Sequence, residues 1–364
     1  MKINSTILIT AMACLFISGG CKYAERYNLK MTIVPEGTIN EFSHESLADA
    51  TAIIRNRLIK FGMTDENITT EVLSDKIIIA VKGIDTNQVG VLKRIVTTPG
   101  ELGFWETYEN SEVIQYLVEA NDKLKSLETG IDISPARNHV GDTLTNLLES
   151  DEQPDSASIA KRRIFDSENP LFAILMPRVD YEGKPTPSCL IGLSVADDTA
   201  KVNAVFSSYD ISLLFPRNIK FLWSRDPYEY DETGKLYELH AIRITTHDSK
   251  APLNGDGIVS SSVNLKGQDI RLQLTMNTEN AMLWKRMTRD NIDRCIAIVI
   301  DGKVVSYPRV TSEITEGNTE ITGNFTLEEA QSLAIILKSG EEILPLRLVI
   351  SDLKTEKMEQ PGRR

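Results

Sequence analysis

Histidine and cysteine are scarce, with four of each among 364 residues. His44, His139, His240 and His247 show no metal-ligand spacing among themselves or with the cysteines, which argues against a zinc site. There is no G-x-S-x-G, P-loop, H-E-x-x-H or EF-hand loop, so neither a recognisable catalytic motif nor a cofactor is implied. His247-Asp248-Ser249 lie side by side, whereas a triad is assembled across a fold from residues that point at one another. Beyond residue 21 no apolar run approaches the roughly 20 residues that cross a bilayer; the longest, such as CIAIVI and LAIIL, have the length of core strands or helices. Clusters of Lys and Arg with interleaved aromatics are missing too, and 40 basic against 52 acidic residues leave a net charge of -12. Nucleic acid and anionic lipid are therefore disfavoured as partners.

The opening MKINSTILITAMACLFISGGC has one early lysine, an apolar run from Ile7 to Ile17 and small residues before Cys21. Residues 1–20 read as a secretory signal of the lipoprotein type, with Cys21 the residue that is acylated and anchors the chain. Ser18 stands where leucine is usual, and the alternative is an ordinary cleaved signal that leaves Cys21 a free thiol. Cys14 lies inside the signal, so only Cys189 and Cys295 remain. They are able to pair in an oxidising compartment. Their apolar neighbours (CLIGL, CIAIVI) favour two separately buried small side chains.

The rest of the chain sorts into three stretches. The first, 28–108, opens on the strand pattern YNLKMTIV. A helix follows from about Ser46, with Ser46-x-x-Asp49 as a capping box and Leu47, Ala50, Ile54, Leu58 and Phe61 on one face up to Gly62. Next come a hairpin (ITTEVL, KIIIAVKGI), a short helix through Val89, Leu92 and Ile95, and the strand ELGFWETY. The third stretch, 257–350, repeats this grammar: strand RLQLTM, a helix capped by Asn277 with Ala281, Trp284, Met287 and Ile292 in register, and the hairpin AIVI-Asp301-Gly302-KVVS. Asp-Gly there favours a type I′ turn. Its last helix opens at Thr326-x-x-Glu329 and ends at Gly340.

The middle, 109–256, differs. Residues 134–170 are polar, with helical pattern only near Val140 to Leu148, and read as a surface excursion. From NPLFAILM onward strand and helix patterns return, with KFLWS and LYELHAIRITT as a hairpin joined by an acidic loop. The expected fold is thus α+β: a composite base formed by the N- and C-terminal flanks, an inserted α+β head, and a charged tail over 351–364.

Asp226, Glu229, Asp231 and Glu232 have the ligand chemistry for a hard cation, though such a cluster reads more simply as a solvated hairpin tip. Phe104, Trp105 and Tyr108 alternate on a strand, and Trp223 and Tyr237 sit on facing strands of a hairpin. Most of these are core packing, with a minority left to line a groove for extended peptide. Composition and pattern together reach as far as an anchored envelope binding protein.

Several stretches resemble the first large periplasmic domain of SecD, the accessory subunit of the bacterial Sec export channel. They are IIRNRLIKFGMTDENITTEVLSDKIIIAVKGI, VTTPGELGFWE, MTRDNIDRCIAIVIDGKVVSYPRV and, most specifically, ITGNFTLEEAQSLAIILKSG. NPLFAILM, DDTAKVNAVFSS and LYELHAIRIT are similar to the fused SecD–SecF chains of Bacteroidota. The resemblance spans about 28–350 and is thin from 112 to 165. It implies a ferredoxin-like base with a mobile head that catches preprotein on the outer side of the membrane.

Two departures stand out: the family's D-L-K-G-G motif is only echoed by Leu29-Lys30-Met31, and the family's membrane helices are not in evidence. The expectation is a non-enzymatic lipoprotein of the periplasm that binds exported or unfolded polypeptide and assists the Sec translocase. The alternative is a structural or regulatory partner docking on the SecDF complex or another envelope assembly. A hydrolase is the least favoured class, and the choice between inner and outer membrane stays open. Substrate-binding residues are not legible.

Overall fold

A computed structural model describes residues 26–37, 42–126, 134–135, 164–180, 182–267, 269–338 and 342–358. The signal stretch, Cys21, the 140–148 helix pattern, most of the 134–170 excursion and Gly340 lie outside them.

The chain begins with β1 (Arg26–Pro35), α1 (His44–Lys60), the hairpin β2 (Ile68–Val72) and β3 (Ile77–Asp85), and α2 (Val89–Thr97). Leu47, Ala50, Ile54 and Leu58 are buried along one face of α1, as their spacing requires. The cap lies one turn earlier than the sequence pattern suggested. Ser43 accepts from the Ser46 N–H, and the Ser46 hydroxyl answers by accepting from the Ser43 N–H, so Ser46 is the reciprocal partner and not the cap. Gly62, at φ 107°, turns the chain out of the helix.

Next come β4 (Leu102–Glu106), α3 (Asn110–Ser126), β5 (Met176–Pro177), β6 (Leu190–Val195), α4 (Ala196–Ser207), β7 (Ile219–Trp223), β8 (Leu236–Arg243) and β9 (Leu253–Asn254). Then follow β10 (Ile258–Lys266), β11 (Asp269–Met276), α5 (Thr278–Asp290), β12 (Ile296–Ile300), β13 (Lys303–Ser306), β14 (Asn318–Thr322), α6 (Leu327–Leu337) and β15 (Leu348–Lys357). Asn277 caps α5 and Thr326 closes a capping box with Glu329 on α6, both as the sequence indicates. Helix α5 stops before Ile292, which is exposed; Trp284 and Met287 carry its buried face.

These elements make an α+β fold of four sheets. The first has the order β15-β1-β3-β2, with every neighbouring pair antiparallel. Following the succession β1-α1-β2-β3-α2, that order is ferredoxin-like, and the closing strand is delivered by the far end of the chain. Only β15 of the C-terminal flank enters this sheet. It continues to Lys357, through charges that the sequence pattern had assigned to a tail; an edge strand keeps one side in water, so alternate charges cost it little. Strands β10-β11-β14 form a second sheet, β13-β12-β4-β9 a third and β5-β6-β8-β7 a fourth. Strand β4 follows the N-terminal flank in sequence yet pairs with β12 and β9, because its Leu-Gly-Phe-Trp run is buried on both faces and needs a neighbour on each side.

One junction couples the first sheet to the third. Arg57 sits on the buried stripe of α1, fully enclosed, and donates to four carbonyls: Ile95 at 3.2 Å, Thr98 at 2.7 Å, Pro99 at 2.7 Å and Glu342 at 2.7 Å. Burial lowers its pKa to about 10, so it stays cationic at neutral pH. Gly100 follows with φ 88°, and a Cβ there would lie 2.3 Å from the Ile336 side chain on α6 and 3.1 Å from the Arg57 guanidinium. The N–H groups of Gly100 and Glu101 both donate at 2.8 Å to Asp301. Asp301 and Gly302, at φ 52° and 77°, form the β12–β13 turn with the two positive φ angles that a type I′ turn requires.

Removing the guanidinium takes a donor from four carbonyls, of which, among the described residues, only Pro99 keeps another, the Leu344 N–H at 3.1 Å. Arg57→Met is expected to cost about 3 kcal/mol or more, and Arg57→Lys less, since an ammonium has three donors and no fork. Denaturant titration measures both; a loss below about 1 kcal/mol for Met would remove the junction from its central role.

A second clamp ties α3 to β8 and to the approach to β12. Glu112 accepts from Arg243 at 2.7 Å and from Arg294 at 2.6 Å. Partial burial pushes the Glu112 carboxyl up, but the hydrogen bonds from Arg294, the Glu109 N–H and Arg243 outweigh it, and the net pKa is lowered. A carboxylate depressed in the fold adds stability above its unfolded pKa and loses it as pH falls through the folded one. Glu112→Gln is therefore expected to cost up to about 1 kcal/mol at neutral pH, discounted for solvent screening. The gap to wild type should close in acid; a gap independent of pH would refute the clamp.

Candidate functional site

A cleft of about 660 Å³ lies between α4, the segment 212–217, strand β7 and the turn at Gly302 and Lys303. Strand β7 is an edge strand, paired with β8 on one side. At its far end the chain turns onto β13 through the parallel bridge Ser224–Val304 and the Arg225 N–H donating to Val304 at 2.8 Å. The cleft thus lies along a sheet edge.

Its floor is aromatic. Phe206 from α4, Phe215 and Phe221 stack with ring centroids 4.4 Å (206–221), 5.0 Å (215–221) and 5.2 Å (206–215) apart. Pro216 and Asn218 bring Phe215 back onto the sheet: the Ile219 N–H donates to the Pro216 carbonyl at 3.1 Å, and Asn218 accepts from the Tyr108 hydroxyl at 2.8 Å. At the end of β7 the Trp223 indole donates to Asn203 at 2.9 Å, which fixes α4 over the strand. The rim is basic, with Arg217, Lys220 and Lys303 all exposed on a chain of net charge -12. Tyr209 and Leu213, 77 % and 67 % exposed, extend the apolar surface beside it.

Of the aromatics singled out from sequence, only Trp223 lines this cleft. Phe104 is enclosed against Trp284 at 5.0 Å, and Trp105 packs with Leu222 and Ile242 between the third and fourth sheets. Tyr237 is not opposite Trp223, whose partner across the hairpin is Leu239. Phe206, Phe215 and Phe221 were missed because they come from a helix, a loop and a strand whose meeting no local pattern records.

The other sequence candidates are placed as follows. Asp231 accepts from the N–H groups of Thr233, Lys235 and Leu236, so its oxygens are spent on closing the loop before β8; those bonds hold its pKa down against partial burial. Asp226 pairs with Arg225. Among the described residues no group of three or more acidic, cysteine or histidine side chains is set to hold a metal. Asp248 accepts from the Lys250 N–H in an exposed turn.

Cys189 and Cys295 are both buried but not separate. Their thiols lie near enough for each to shift the other, with the Cys189 thiol pushed up and the Cys295 thiol lowered. Around them lie other polar groups between the third and fourth sheets. His240 Nδ1 is 3.9 Å from the Cys189 sulfur, its Nε2 is 3.8 Å from Glu238, and its ring packs on Tyr307 at 4.4 Å. Tyr307 donates to Glu238 at 2.6 Å; burial and that carboxylate raise the phenol's pKa. The Cys-His-Glu succession looks like a nucleophilic set, but Cys189 and His240 are wholly enclosed and no substrate reaches them.

No helix of the described residues is long and apolar enough to cross a membrane. Residues 235–343 match the model of the SecDF P1 head subdomain, a segment running from β8 through α6. The protein translocase subunit SecD of Rhodothermus marinus is 27% identical over 319 residues, covering 85% of this chain and 47% of that protein. SecD of Leptotrichia buccalis is 41% identical over 118 residues, covering 31% of this chain and 29% of its own length. This chain thus spans less than half of those relatives. A crystal structure of SecDF in super-membrane-facing form aligns over 91% of this chain and 30% of its own, with 14% identity and a TM-score of 0.44. Taken together, the head-subdomain match and the alignment with SecD along most of the sequence make this chain similar to SecD and SecDF proteins.

Proposed function

We propose that this chain is a non-enzymatic accessory of Sec-dependent protein export that binds extended or unfolded polypeptide in the periplasm, without a cofactor. The observation that carries the reading is the edge strand β7 beside an aromatic cleft of about 660 Å³. A sheet edge offers main-chain hydrogen bonds to any sequence, and alternate side chains of an added strand drop into an apolar floor. This combination suits an unfolded chain, whose sequence varies and whose backbone is free. The basic rim favours segments that are not themselves strongly basic. The relation to SecD supplies the context of export.

Membrane attachment through a lipid on Cys21 belongs to the same proposal, supported by the small residues that precede it. Cys21→Ser is expected to move the chain from the membrane to the soluble fraction; continued sedimentation with membranes would reject the anchor.

A photoreactive residue in place of Lys220 is expected to crosslink to an unfolded polypeptide, and one in place of Lys285 on α5 is not. Phe221→Ser is expected to weaken capture about tenfold, the scale of one well-placed apolar anchor. Equal crosslinking at both positions, or none at Lys220, would count against the cleft. Crosslinks from Lys220 to SecDF alone would favour the docking partner.

A further inference from the structure

We propose that Cys189 and Cys295 form a redox pair that closes to a disulfide between the fourth and third sheets, locking the base of the β7 cleft onto its neighbour. Each cysteine immediately precedes a strand, Cys189 before β6 and Cys295 before β12. Independent contacts hold the two strand entries together. Cys295 is bridged antiparallel to Arg309, and the Arg309 guanidinium donates to the Pro187 carbonyl at 3.3 Å. The Ser188 carbonyl accepts from the Asn110 N–H at 2.7 Å, and the Cys295 carbonyl accepts from the Thr107 hydroxyl at 2.8 Å. Residues 107–110, at the exit from β4, therefore grip both cysteine segments. Within that frame each thiol shifts the pKa of the other, so the two side chains face one another. Side chains that face one another from two fixed strand entries need little movement to bond.

The electrostatics assign different roles to the two thiols. The Arg309 charge favours a thiolate at Cys295, which is also the less deeply buried of the two. Cys189 is fully enclosed and holds its proton. Cys295 is thus the attacking sulfur. With a small disulfide RSSR as oxidant, the Cys295 thiolate attacks one sulfur, the R–S–S–R bond breaks, and RS⁻ leaves. The Cys189 sulfur then attacks the Cys295 sulfur of the mixed disulfide and expels the second RS⁻. Two thiols lose two electrons, RSSR gains them, and the two protons leave as two RSH. Both sulfurs are shielded, so the rate follows local opening of the segment before β6.

The bond would close a loop of about 100 residues that contains all of β7 and the aromatic floor of the cleft, a length at which a cross-link restricts the unfolded chain strongly. An oxidising compartment as the setting rests on the envelope reading above; the exchange chemistry itself does not. The full chain, folded, is exposed to oxidised glutathione, quenched in acid, digested and mapped by mass spectrometry. The expected product is one linked peptide joining Cys189 to Cys295, and the oxidised protein unfolds several degrees above the reduced one. Cys189→Ser is expected to retain glutathione on Cys295, while Cys295→Ser leaves Cys189 unmodified. Absence of the linked peptide from folded protein, its appearance only after denaturation, or the reverse pattern of adducts would overturn the proposal. If either variant does not fold, the wild-type peptide map decides alone. Failure here leaves polypeptide capture at Lys220 untouched, and failure of that capture leaves the disulfide standing.

Discussion

The architecture depends on one enclosed guanidinium. Arg57 joins α1 to the carbonyls that end α2 and to the segment leading into β15, so one side chain adds to the β1–β15 ladder in fixing the distant closing strand. A charge this deeply buried is tolerated because its two terminal nitrogens, fixed in one plane, donate to four carbonyls. The same corner passes the constraint onward: Gly100 leaves room for the guanidinium and for α6, and its N–H is held by the Asp301 turn of the third sheet. Three of the four stretches that most resemble SecD supply Arg57, Gly100 and Asp301, and the fourth supplies Ile336. Those stretches, far apart in the chain, meet at this junction.

Beyond the junction, each layer has its own apolar core, and polar groups are concentrated where layers meet. The first sheet packs on α1 and α2, the second and third share a core with α5 and α6, and the fourth packs on α3 and α4. Between the third and fourth sheets a small apolar patch around Trp105 adjoins the Glu238, His240, Tyr307 and cysteine groups. Buried polar groups fix one relative placement of two sheets more sharply than apolar contact does, because their hydrogen bonds are directional. The cleft is built on that fixed placement: its floor belongs to the fourth sheet and the helix and loop packed on it, and part of its rim to the β12–β13 turn of the third.

Much of the local structure was legible in the sequence. Helical spacing located α1, α2, α5 and α6, alternation located the β2–β3 pair, and Asp301-Gly302 announced its turn, because caps, turns and amphipathic faces are set by residues a few positions apart. Arg57 was not legible as a keystone. It falls on the apolar face of α1, and spacing does not distinguish a buried arginine with four partners from one reaching out to water. Helix α3 also escaped notice, although Val113, Leu117, Ala120 and Leu124 keep helical spacing; its polar surroundings hid the pattern.

The sequence by itself determined the α+β class, the absence of a recognisable catalytic motif and the resemblance to SecD, since each is written in local pattern or in the order of motifs. Tertiary structure alone decided that β15 closes the first sheet and that β4 leaves it for β12. It alone brought three phenylalanines into one cleft floor, and it set Cys189 against Cys295 where their apolar neighbours had suggested two separate sites. These are long-range pairings, and they depend on how whole sheets satisfy their edges and bury their faces together, a condition that no window of neighbouring residues contains.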